Sequence, residues 1–264
     1  MDLQLNNKTA FVSGSTAGIG YAIALQLATE GAKVIINGRS PERINAAVSE
    51  IKSLTGNSNV TGIAADFSKP EEISELISQL PEVDILVNNF SIFEPKPFLE
   101  ITDEDWLKFH NMNIMSGIRL SRAYIDGMLK RNSGRIIFIS SESGVFIPDE
   151  MVHYGVTKTA QIAIARGLAE MTKGTNVTVN SVLPGPTLSE GVGNFVEQLA
   201  IDQNITTTQV KEDFFKKMRP TSLIQRFLLP EEIANMVTYL ASPKASATNG
   251  AAIRVDGGLI KSII

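Results

Sequence analysis

Tyr154 and Lys158 lie four residues apart at the head of the run GVTKTAQIAIARGLAE. Its wealth of Ala, Ile and Leu predicts a helix. On a helix, that spacing puts the phenol and the ammonium on one face, with their Cβ atoms about 6 Å apart. A lysine beside a tyrosine favours the phenolate and lowers its pKa from about 10. Such a tyrosine can pass a proton to or from a substrate oxygen. Upstream, Ile136-Ile137-Phe138-Ile139 is β-branched and aromatic and reads as a buried strand, with Ser140 and Ser141 at its end. A serine hydroxyl there can hold the same oxygen. Ordinary amphipathic helices also carry Tyr and Lys at this spacing, so the surrounding elements must decide.

The first of those elements is Thr9-Ala10-Phe11-Val12, a short buried strand. Ser13 to Gly20 follow as a glycine-rich turn, and Tyr21 to Glu30 read as a helix closed by Gly31. Glycines let backbone approach a ligand, and a helix N-terminus attracts phosphate. The spacing is Gly14-x-x-x-Gly18-x-Gly20, not the commoner G-x-G-x-x-G. The second strand, Lys33 to Ile36, runs into Asn37-Gly38-Arg39. A carboxylate at this point would hold the ribose 2′-OH of NAD, whereas a basic residue accommodates the 2′-phosphate of NADP. Gly38 leaves the acid's place empty and Arg39 offers a guanidinium, so NADP(H) is the expected cofactor and NAD(H) the alternative.

Val60 to Ala65 is a third strand. Asp66 after it either accepts from an adenine amino group or caps the helix opened by Pro70. Asp84 to Val87 is a fourth strand ending in Asn88-Asn89-Phe90-Ser91, where asparagines can tie neighbouring loops together. A long helix from about Asp103 to Arg131 carries Asn113 near its middle. Asparagine is locally unfavourable there, and it is either bonded to water or backbone or turned to solvent. Val177 to Val182 is the sixth strand, broken by Pro184-Gly185-Pro186, and Asn249 to Val255 the seventh. Between them, residues 187–225 form a polar insertion with helical runs near 190–201 and 207–218, of the kind that serves as a substrate loop.

Composition narrows the classes. The chain has 264 residues, 43% apolar and 20% charged, as soluble globular proteins do. A net charge of −4 argues against nucleic acid or an anionic membrane as partner. Without cysteine there is no disulfide, thiolate metal site or Cys nucleophile. His110 and His153 are the only imidazoles and neither sits in a metal-ligand pattern, so no metal is expected. No apolar run approaches the ~20 residues of a membrane span. The start, MDLQLNNKTAFVSG, is not a signal peptide, and a cytoplasmic protein is expected.

Strands alternate with helices throughout. This predicts an α/β fold: one doubly wound Rossmann domain over residues 1–264, with a mainly parallel seven-stranded sheet and helices on both faces. The glycine turn and the Ser/Tyr/Lys set both follow strand ends, where such sheets bind ligands. Over essentially its full length the chain resembles the short-chain dehydrogenase/reductase family. The residues that carry the likeness are Gly14, Gly18, Gly20, Asp66, Asn88-Asn89, Asn113, Ser141, Tyr154, Lys158, Pro184-Gly185 and Asp256-Gly257-Gly258. The resemblance implies that Tyr154 is the acid/base and Ser141, rather than Ser140, holds the substrate carbonyl. Lys158 lowers the tyrosine pKa and bonds the nicotinamide ribose, and Asn113 holds a relay water. It further implies cofactor contacts from Gly14, Ser15, Thr16, Gly18, Ile19, Gly20, Asn37, Gly38, Arg39, Asp66, Phe67, Asn88, Tyr154, Lys158, Pro184, Gly185 and Thr187. A small carbonyl or secondary alcohol would be the substrate, and the assembly a tetramer or dimer.

The chain departs from the family's pattern in four places. Ser13 stands for the usual Thr, Phe90-Ser91 for Ala-Gly, Ala17 for a basic residue common in NADP-using members, and Ser189 for Thr. Two other functions fit parts of the pattern. One is a binding protein that senses NADP(H) without turnover, against which the complete Asn113/Ser141/Tyr154/Lys158 set speaks. The other is an S-adenosylmethionine-dependent methyltransferase, against which Arg39 and Tyr-x-x-x-Lys speak. Phe93, Phe98, Phe146, Met151 and Phe195 are candidate pocket walls, though large apolar side chains more often pack in the core. His153 reads as a loop residue.

Overall fold

The β-branched runs expected as strands all pair. In the computed structural model, which describes residues 1–263 apart from the Phe195 side chain, they form β1 (Thr9–Val12), β2 (Lys33–Gly38), β3 (Val60–Ala64), β4 (Ile85–Asn88), β5 (Gly134–Ile139), β6 (Val177–Pro184) and β7 (Ala252–Val255). The strand order is β3-β2-β1-β4-β5-β6-β7, and every pairing is parallel. Sequence order reverses direction across the sheet between β1 and β4. This is the switch point at whose strand ends open α/β sheets bind ligands.

Alternate residues of the strands face opposite layers. Ala10, Val12, Val34, Ile36, Val87 and Ile137 pack on α1 (Gly18–Thr29), α2 (Pro41–Thr55) and, across the sheet, α9 (Pro230–Ala241). Phe11, Ile35, Leu86, Ile136, Phe138 and Val179 pack on α3 (Pro70–Gln79), α5 (Ser116–Lys130) and α6 (Val152–Glu170). Burial on both faces explains why the strands read as continuous apolar runs rather than alternating ones.

The long helix expected over 103–131 is one helical run of three parts. After α4 (Asp103–Phe109) comes a π-helical turn, His110–Met115, and then α5. Asn113 lies in that turn. A π turn holds one more residue than an α turn, and such turns are frequent at functional sites. Between β6 and β7, α7 (Glu190–Gln203) and α8 (Thr207–Asp213) lead into a second π turn, Phe214–Met218. Val196, Ala200, Val210, Phe215 and Phe227 form a separate small core there.

His153 is not the loop residue expected. It is the second residue of α6, 0% exposed, with its ring 4.1 Å from that of Phe109 and 6.2 Å from that of Trp106. Neither ring nitrogen has a hydrogen-bond partner. Burial holds its pKa below the ordinary 6.5, against the pull of Asp105 and Glu94. The unfolded chain therefore binds a proton below that pH that the folded chain refuses. Stability falls as the pH drops below about 6.5. His153→Leu should flatten the decline in Tm between about pH 7 and pH 5, followed by calorimetry; an unchanged slope would show that the imidazole takes its proton without unfolding.

Candidate active site

The first strand's turn is held by buried polar groups. Ser15 donates to the Val12 carbonyl at 2.6 Å and accepts from the Asn37 amide N–H at 2.9 Å. The Asn37 side chain accepts from Gly14 N–H at 3.1 Å and donates to the Ile63 carbonyl at 3.1 Å. Both side chains are thus bonded to the backbone. Asn89 donates to the Ser13 and Gly14 carbonyls at 3.0 and 2.9 Å, and Ser13 Oγ accepts from the Asn89 and Phe90 amides. That is the loop tie expected of the asparagine pair.

Gly14 and Gly18 adopt φ of 61° and 58°, the left-handed region that favours glycine. At Gly20 a Cβ would lie 2.4 Å from the Gly14 carbonyl, so only glycine fits. α1 then begins with no side-chain cap at Ala17, and its first N–H groups remain available to an anion. Asn88 Oδ1 is buried at the end of β4 with no partner, while its Nδ2 donates to Ser121. An uncapped helix start, a glycine cradle and an orphaned amide oxygen at the switch point fit a dinucleotide. Gly38 has a steric reason too: a Cβ would meet Thr16 Cγ2 at 2.7 Å. Arg39 beyond it is exposed and makes no ion pair among the described residues.

The side chains of three expected cofactor residues have partners within the protein. Asp66 does not cap α3, whose N-cap is Lys69; its carboxylate accepts from Ser68 N–H at 2.9 Å. Phe67 is buried against Phe90, ring centroids 5.0 Å apart, so its side chain belongs to the core. Phe90 in turn fills the space beside Gly14. Thr187 Oγ1 donates to the Gly185 carbonyl at 2.8 Å. Gly185 abuts Asp256, where a Cβ would come within 2.8 Å of backbone. The insertion folds over this region: Ser189 Cβ comes close to Gly18, and Glu190 pairs with Arg43 of α2 at 2.8 Å. Ile19, the second residue of α1, packs partly buried on the core.

At the end of β5 the two serines separate. Ser140 Oγ donates to the Lys158 carbonyl at 2.7 Å and anchors α6. Ser141 lies beside Tyr154 and donates to Glu142 Oε2 at 2.5 Å. Lys158, 1% exposed, donates from Nζ to the Ile139 carbonyl at 2.9 Å and to Gln161 Oε1 at 3.3 Å. Its ammonium lies 5.5 Å from the Tyr154 ring centre. Gln161 Nε2 donates to the Asn113 carbonyl at 2.7 Å. The Asn113 side chain accepts from Ile92 N–H and donates to the Ile92 carbonyl and to Thr157 Oγ1. Of the readings open for Asn113, the backbone-bonded one holds.

The electrostatics correct one expectation. Tyr154 is not lowered: burial pushes its phenol well up, the nearby Glu142 adds to that, and the neighbouring Ser141 hydroxyl opposes. Lys158 is instead pushed down to about 7 by burial, against the pull of Glu142. The protein groups alone keep the phenol protonated, as a proton donor must be. Phe93 stands edge-on to the Tyr154 ring at 6.4 Å between centroids. A cleft of about 500 Å³ is lined by Phe146, Ile147, Glu150 and Arg219, among others. A larger depression of about 740 Å³ between α7 and α8 includes none of the candidate residues. Among the described residues no cluster of metal-ligating side chains occurs, and no helix is long and apolar enough to cross a membrane.

Glu142, Gln161 and Arg219 were missed from the sequence. Gln161 had a signal, since it falls seven residues after Tyr154 and three after Lys158 on one helix face. Glu142 had a weaker one, an acid directly after the candidate serine. Arg219, far along the chain, had none.

The family model described as short chain dehydrogenase matches residues 8–200. The uncharacterized oxidoreductase YvaG of Bacillus subtilis is 50% identical over 263 residues, spanning 100% of both chains. The 3-oxoacyl-[acyl-carrier-protein] reductase FabG of Aquifex aeolicus is 34% identical, over 98% of this chain and 100% of that one. Among solved structures, L-sorbose reductase from Gluconobacter frateurii complexed with NADPH and L-sorbose superposes with a TM-score of 0.94 at 30% identity, covering 100% of both chains. Sheet order, glycine turn and whole-length likeness thus agree: the chain belongs to the short-chain dehydrogenase family, and it is an oxidoreductase.

Proposed function

We propose that the chain is an NADP(H)-dependent reductase of small carbonyl compounds, run in reverse as a secondary-alcohol dehydrogenase, with Tyr154 as the acid/base. The observation that carries this reading is the meeting of Ser141 and Tyr154 beside the buried Lys158, at the end of β5. Bound nicotinamide supplies the hydride chemistry. Tyr154 gives its proton to the carbonyl oxygen, and Ser141 helps to hold that oxygen. Lys158 is fixed beside the phenol by Ile139 and Gln161. The insertion over residues 187–225 covers the substrate. The uncapped start of α1 receives the pyrophosphate, and Arg39 the 2′-phosphate. NADPH in the L-sorbose reductase complex supports the cofactor choice, and the sugar bound there supports a hydroxylated carbonyl compound as substrate.

Tyr154→Phe removes only the transferable proton. It should leave cofactor affinity nearly intact and lower turnover by about 10²–10⁴-fold. NADPH absorbance followed across a panel of hydroxylated ketones, L-sorbose included, measures this; near wild-type rates in the variant would sink the assignment. A protonated phenol also sets the sign of the pH response. Loss of the phenol proton should not limit carbonyl reduction below alkaline pH, while alcohol oxidation, which needs the phenolate, should keep rising above neutrality.

Arg39 can meet a 2′-phosphate with two parallel N–H···O bonds. A charge-assisted bond contributes roughly 1.5–3 kcal/mol, about ten- to a hundred-fold in affinity. Arg39→Ala should therefore remove most of the preference for NADP(H) over NAD(H) and leave NAD(H) affinity little changed. Titrating both cofactors into both proteins at low and high salt checks it. Equal weakening of the two would show that Arg39 does not read the phosphate.

A further inference from the structure

Ser141 has one hydroxyl proton, and in this structure Glu142 takes it. Ser141 Oγ donates to Glu142 Oε2 at 2.5 Å and accepts from Ser143 N–H at 3.1 Å. A serine so engaged has no proton left for a substrate oxygen. The acid that holds it is itself only 5% exposed. Its other oxygen, Oε1, faces Arg219 Nε at 3.6 Å, beyond hydrogen-bond reach. That Nε is buried without any hydrogen-bond partner. Arg219 is committed elsewhere, to Glu150 at 3.0 Å. From α6, Tyr154 and Lys158 also face the carboxyl.

We propose that Glu142 is a proton-controlled positioning residue for Ser141. Ionised, it holds the serine proton and withholds it from substrate. Once it has taken a proton from solvent, its own O–H donates to Ser141 Oγ, and the serine O–H turns to the substrate oxygen. The inference rests on the reading of Ser141 and Tyr154 as the carbonyl-binding pair. The surroundings allow both states. Burial disfavours the charged carboxylate, while the Ser141 hydrogen bond and the Arg219 charge favour it. Arg219 alone is too distant to hold it ionised by a direct hydrogen bond.

Glu142→Gln tests this with little change of volume. The amide oxygen would face Arg219 and the Nε2 would donate to Ser141, copying the protonated acid. In wild type the reduction rate should fall as the pH rises through the Glu142 titration, by as much as about a hundred-fold, the scale of one lost oxyanion-type donor. In Glu142→Gln that fall should vanish. A structural pairing with Arg219 alone would leave the profile's shape as it is. An infrared titration of the carboxylic-acid C=O band needs no turnover. The band should be missing in Glu142→Gln, and in Ser141→Ala its midpoint should move upward, because the hydrogen bond that favours the ionised form is gone. A pH profile shared by wild type and Glu142→Gln overturns the proposal, and so does a midpoint unmoved in Ser141→Ala. Absence of any carbonyl reduction would instead defeat the reductase reading, and the infrared result still decides whether the acid and the serine share a proton.

Discussion

A lysine ammonium removed from water must find fixed partners, and the site is arranged around meeting that demand. Desolvating an ion costs several kcal/mol even after relaxation. Lys158 recovers part of that cost from the Ile139 carbonyl at the end of β5 and from Gln161 one turn along α6. Gln161 hands the connection to the Asn113 carbonyl in the π turn, and the Asn113 side chain passes it to Ile92 in the loop after β4. Strand end, helix, π turn and loop are thereby held in one hydrogen-bonded frame. The extra residue of the π turn belongs to that frame, since it is where Asn113 sits, buried, with both backbone and side chain in use.

The turn after β1 follows the same logic with neutral groups. Asn37 and Asn89 use their amides to fasten the turn after β1 to the ends of β3 and β4. Glycine backbone then lies against the ligand position without side chains in the way. Fixing these loops before a ligand arrives limits the ordering that binding would otherwise require.

Much of this was legible in the sequence because it depends on local pattern. Strand runs, glycine spacing and the interval from Tyr154 to Lys158 are short-range features, and the sheet follows from their alternation. The Lys158 carbonyl claims the Ser140 hydroxyl, a contact that spacing could not show. What stayed hidden depends on contacts far apart in sequence. Arg219 reaches Glu142 and Glu150 only because the insertion folds back over the loop after β5. The direction of the tyrosine's shift was misjudged for a related reason. Spacing along a helix shows which charges are near, but not how much water has been removed, and at Tyr154 burial and then Glu142 raise the phenol's pKa. Phe67 and Asn37 stand at positions that touch cofactor in the resemblance, yet their side chains are engaged within the protein.

The segment between β6 and β7 has an apolar core of its own, in which the rings of Phe214, Phe215 and Phe227 stack or meet edge to face. Its two ends are tied to each other, Leu188 N–H to the Leu228 carbonyl, and Leu223 N–H bonds the Gly257 carbonyl just after β7. It is a self-supporting cover clipped on at its edges rather than a flap cut from the main core. Its inner wall can therefore be rebuilt residue by residue while the sheet beneath keeps its packing. The same frame of Lys158, Gln161 and Asn113 can then serve differently shaped cavities.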